Sequence, residues 1–68
     1  MTDPYMEITE RMRQILANDH NAADVYQALS KEVNDQEIAK MLATLAEEEL
    51  RHIKMDNNLI ALLERGDE

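Results

Sequence analysis

The chain has 68 residues, fifteen Asp and Glu against seven Lys and Arg, a net charge of −8 and no cysteine. That length allows one domain, residues 1–68, with a core so small that a metal or self-association must support it. Without cysteine, disulfides and thiolate metal sites are excluded, and an acidic chain with no basic face excludes nucleic acid and anionic membranes as partners.

No apolar run approaches the roughly 18 residues of a membrane span. The N-terminus has no basic region followed by an apolar stretch, so no signal peptide is expected and the chain reads as cytoplasmic. Asp3-Pro4 reads as an N-cap followed by proline in the first helical turn. From there the chain is rich in good helix formers, which predicts helix A over about residues 4–33. Val33-Asn34-Asp35 is the weak stretch. Asn34 followed by Glu37 reads as a capping box and starts helix B, about residues 35–65, with Gly66 as its C-terminal cap.

Apolar residues recur with alternating spacings of four and three. On helix A the positions are Ile8, Met12, Ile15, Asp19, Ala22, Tyr26, Leu29 and Val33. On helix B they are Ile38, Leu42, Leu45, Glu49, His52, Asp56, Leu59 and Leu63. This is the rhythm of coiled coils and four-helix bundles. Leu16, Ala23, Ala46, Leu50, Ile53 and Ile60 widen both stripes beyond what one facing helix can cover. The expected fold is all-α: an antiparallel two-helix hairpin that dimerises into a four-helix bundle. Met12 and Met41 read as core filler.

Asp19, Glu49, His52 and Asp56 interrupt the apolar pattern. Buried charge must be paired, neutralised or bound to metal. With the turn centred near residues 34–35, Asp19 falls opposite about residue 50, level with Glu49 and His52. Glu49 and His52 are three apart and share a helical face. A twofold axis would double this set into the carboxylate and Glu-x-x-His inventory of dinuclear metal bundles. Oxygen and imidazole donors suit iron, manganese or zinc. Asp56 reads as a partner for the imidazole's second N–H, as an additional ligand, or as a plain polar position at a wet bundle end. Glu47 and Glu48 read as a solvated face, and His20 as exposed.

Two segments resemble the ferritin-like, rubrerythrin-type superfamily, closest to its short encapsulated ferritins. One is Asp19-His20-Asn21-Ala22-Ala23-Asp24-Val25-Tyr26, similar to Glu-x-x-Ala-x-x-aromatic-Tyr with Asp19 in the glutamate's place. The other is Ala46-Glu47-Glu48-Glu49-Leu50-Arg51-His52, similar to an acidic run ending in Glu-x-x-His. The resemblance implies a homo-oligomeric ferroxidase with two iron ions per dimer, oxidising Fe(II) with dioxygen or peroxide. It implies Asp19, Glu49 and His52 as metal ligands and catalytic residues, and Tyr26 as a hydrogen-bonding residue beside them. No docking tail is seen, so an encapsulin shell is not an expected partner. The alternatives are a metal-binding or metal-stabilised helical bundle without turnover, and a metal-free module whose polar residues set register.

Overall fold

A computed structural model describes residues 4–65. It consists of α1, Met6–Glu32, and α2, Gln36–Glu64. They fold back on each other as an antiparallel hairpin, so that Arg13 near the start of α1 pairs with Glu64 at the end of α2. No strand occurs among the described residues. No helix is long and apolar enough to cross a membrane.

Both helices are shorter than their sequence-based bounds. Pro4 lies in a turn ahead of α1, and Tyr5 is the N-cap. The Tyr5 carbonyl accepts the Thr9 N–H at 2.8 Å and the Thr9 hydroxyl at 2.8 Å. The expected caps Asp3 and Gly66 lie outside the described residues. At the turn, Val33 is extended, and its N–H closes the last turn on the Leu29 carbonyl at 3.2 Å.

The cap of α2 is Asp35, not Asn34. Its Oδ1 accepts the N–H groups of Glu37 at 2.9 Å and Ile38 at 3.0 Å. These are the second and third helical amides, which have no carbonyl partner inside the helix. A carboxylate there also meets the positive end of the helix dipole. An ionised oxygen accepts these bonds more strongly than the amide oxygen of Asn34 would.

Seven-residue columns describe the packing. The columns turned toward the facing helix are Thr9, Leu16, Ala23, Ser30 on α1 and Ala39, Ala46, Ile53, Ile60 on α2; all are buried or half-buried. Beside them run Met12, Asp19, Tyr26, Val33 and Leu42, Glu49, Asp56, Leu63, all half-buried. Half of the sequence-based seam is therefore displaced by one position. Ile8, Ile15, Leu29, Ile38, Leu45 and Leu59 are 39% to 50% exposed. Met41 is also exposed, at 64%, rather than core filler. A two-helix contact turns only one side of each stripe inward, which leaves the other side in solvent.

That remainder forms one surface. On each helix the exposed column lies on the same side of the contact column in the chain's own frame. Because the helices run in opposite directions, both exposed columns turn to one broad face of the hairpin. Only Ala23, Ala46, Ile53, Ile60 and Thr9 are buried among the described residues. Replacing Asp35 with alanine should cost about 1 kcal/mol in a denaturant or thermal melt, whereas Asn34→Ala should leave the melt nearly unchanged. Equal losses would contradict the cap assignment.

Candidate metal centre

Helical spacing places Glu49, His52 and Asp56 at intervals of three and four, on one side of α2. Glu49 and Asp56 fall in its half-buried column, and His52 falls in the exposed one. Asp19 occupies the half-buried column of α1. The carboxyl of Asp19 lies within hydrogen-bonding reach of Asp56. Sequence counting from the turn instead put Asp19 opposite about residue 50. The difference has a stereochemical direction. Helical side chains lean toward their own N-terminus. Asp19 therefore leans away from the turn while Asp56 leans toward it, so the tip of Asp19 meets a residue farther along α2.

Stepping seven residues along each helix from this contact gives the neighbouring levels. Tyr26 stands at the level of Glu49, and Met12 at the level of Leu63. Two apolar levels, Met12 with Leu63 and Val33 with Leu42, thus enclose two polar ones. Tyr26 is half-buried there. His20, Glu47 and Glu48 are exposed, as their positions in the sequence predict.

Glu49 Oε1 lies 3.9 Å from His52 Nδ1, with the Glu49 side chain 20% exposed and that of His52 59% exposed. The separation is too long for a hydrogen bond. Glu49 Oε2 and Asp56 Oδ2 are buried with no hydrogen-bond partner. Taking an ionised oxygen out of water without a partner is costly. At Asp56 the carboxyl is pushed above its ordinary range, first by the hydrogen bond its protonated form makes with Asp19. Burial and the charges of Asp19 and Glu49 act in the same direction, while His52 opposes them.

Within one copy of the chain the donors stand as two pairs, Asp19 with Asp56 and Glu49 with His52. No group of three or more Asp, Glu or His side chains suited to a metal ion occurs among the described residues. A metal site at this level therefore needs donors from a second copy. The donor set fits a divalent metal on its own chemistry: two buried carboxylate oxygens without partners, and an imidazole open toward the broad face. The shallow groove at the open end, lined by Met6, Thr9, Glu10, Arg13 and Glu64, includes none of these residues. Comparison with protein-family models, curated proteins and solved structures finds no match.

Sequence spacing brought Glu49 and His52 together and put Asp56 at the margin of the site. Its contact with Asp19 could have been anticipated from the lean of helical side chains. A carboxyl raised in the folded state stabilises that state in acid, and the contribution is lost as pH rises through the raised value. Metal-free Asp56→Asn should therefore gain stability relative to wild type as pH rises from about 4 toward neutrality. A difference in melting temperature that stays constant across that range would contradict the Asp19–Asp56 contact.

Proposed function

We propose that two copies of the chain pair over the broad apolar face and hold two divalent metal ions, and that with iron the pair acts as a ferroxidase of ferritin-like type. The observation that carries this reading is the pair of buried, unpartnered oxygens, Glu49 Oε2 and Asp56 Oδ2. They lie beside a histidine that opens onto an uncovered apolar surface. A second copy seated on that surface would bring further donors to them.

Each residue has a separable task. Glu49 would chelate or bridge the ions. His52, at the edge of the broad face, would be a terminal ligand contributed by both copies. Asp19 would supply the carboxylate from the other helix. Asp19 and Glu49 from two copies give four negative charges, which offset two divalent cations. Asp56 would hold Asp19 in orientation through their shared hydrogen bond, and Tyr26 would close the next level toward the turn. Apolar levels on either side keep bulk water out, which strengthens every electrostatic contact inside.

Fe(II) is the substrate in this reading. Two Fe(II) give one electron each to dioxygen, which leaves with two protons as hydrogen peroxide. The protein contributes geometry, charge and exclusion of water. A second reading, in which the metal only stabilises the pair, is favoured by the thin apolar core of the single hairpin.

One assay separates them. Fe(II) is loaded without air, air is admitted, and oxygen uptake and ferric absorbance are followed together. Wild type should oxidise Fe(II) at least about tenfold faster than Glu49→Ala or His52→Ala, the scale on which lost support of a metal site is felt. Equal rates would overturn the ferroxidase reading. Tight binding of two ions per pair without oxygen uptake would leave the stabilising role.

A further inference from the structure

The shared face leaves open how the second copy is turned. If the twofold axis runs along the helices, both turns lie at one end and α2 packs beside the partner's α1. If the axis crosses the helices, the turns lie at opposite ends, and each helix packs antiparallel on its own copy. The column that lies beyond the broad face on each helix distinguishes these arrangements. It points away from the hairpin's own contact and is where a neighbouring helix of a four-helix bundle would touch.

On α1 this outer column is Arg11, Asn18, Val25 and Glu32. On α2 it is Met41, Glu48, Met55 and Leu62. All eight are exposed in the hairpin, and the three large apolar members of the α2 column are 52% to 68% exposed. With the axis along the helices, antiparallel register sets Arg11 beside the partner's Leu62 and Asn18 beside the partner's Met55. It also sets Val25 beside the partner's Glu48 and Glu32 beside the partner's Met41. Every one of these pairs joins a polar to an apolar side chain. With the axis across the helices, Arg11 meets the partner's Glu32, a pair of opposite charge, and Met41 meets the partner's Leu62, an apolar pair. The inner positions, Asn18 with the partner's Val25 and Glu48 with the partner's Met55, stay mixed, so matched pairs stand at the outer positions here and at none with the axis along the helices.

We propose that the occupant of the broad face is a second copy bound antiparallel, α1 on the partner's α1 and α2 on the partner's α2, with the turns at opposite ends. This rests on the reading that two copies share the face, and it specifies how they do so. The register supports it from a second direction. Pairing the outer columns sets the twofold axis between residues 21 and 22 on α1 and between residues 51 and 52 on α2. The hairpin's own contacts, Arg13 with Glu64 and Asp19 with Asp56, bring these two points to nearly one level. The axis chosen by charged and apolar flanks thus falls beside His52, within one helical turn of Asp19, Ala22 and Glu49. The Cα envelope measures 56 × 16 × 10 Å, so the broad face outlines a rectangle of about 900 Å², of the same order as the ~800 Å² each partner buries in a standard interface.

The natural absence of cysteine makes the test direct. It is run both with chelator and with Fe(II) supplied without air before oxidation, so that pairing and metal uptake are read separately. Air-oxidised Met41→Cys/Leu62→Cys should form a covalent dimer joined 41 to 62 between chains, whereas Glu32→Cys/Met41→Cys should not cross-link between chains. A spin label at Glu37→Cys, outside every contact column, gives a second readout. The labels should lie about 40 Å apart at 1.5 Å per residue from the axis. An axis along the helices would bring them to about 20 Å. Cross-links joining 32 to 41, or the shorter distance, overturn the antiparallel arrangement. Monomers at every concentration, with chelator and with Fe(II) alike, overturn the shared face with it. The expected cross-links without any metal uptake would sustain the orientation and defeat only the metal reading.

Discussion

Glu49 and Asp56 bury carboxylate oxygens that have no hydrogen-bond partner, inside a hairpin whose apolar core is Ala23, Ala46, Ile53 and Ile60. The cost of those oxygens shapes the rest of the structure. A core this thin has little surplus with which to carry uncompensated charge. Compensation must come from a proton, as between Asp19 and Asp56, from a metal, or from donors on another chain. The first relieves one group only. The second and third meet at the same place, because His52 opens from the acidic level onto the uncovered face.

The net charge of −8 bears on the same balance. Two such chains repel one another, and neutral apolar contact alone must overcome that repulsion. Divalent cations at the acidic level change its sign locally. The chain therefore couples two requirements that are usually separate, covering apolar surface and neutralising buried acid. In the proposed pair, Ile8, Ile15, Leu29, Ile38, Leu45 and Leu59 are the surface to be covered, and Asp19, Glu49 and His52 are the groups whose charge divalent cations would balance.

Much of the hairpin is legible in the sequence, because helix formers run unbroken on either side of Val33-Asn34-Asp35 and the apolar spacing alternates four and three. Three features are less so. The cap shifts from Asn34 to Asp35 because two adjacent residues both have capping side chains, and only the backbone at the turn selects between them. The contact column shifts by one position because a wide stripe does not say which of its edges meets the nearer helix. Ile8 and Thr9 exchange exposure and burial for this reason, as do Ile15 and Leu16. Asp56 moves from the margin of the site to the side of Asp19 because residue counting follows Cα atoms, whereas contacts are made by side-chain tips. The adjacency of Glu49 and His52 needed no correction, since their spacing is local to one helix, but His52 lies in the exposed column rather than on the buried seam.

The central claim is that metal ions and a second copy complete the same site. Native mass spectrometry during anaerobic titration with Fe(II) tests it most directly, by reading chain number and ion number in one spectrum. The predicted product is a dimer carrying two ions, formed in place of ion-free species as Fe(II) rises and lost in Glu49→Ala. Ions bound to single chains, or uptake that Glu49→Ala leaves unchanged, would contradict the claim.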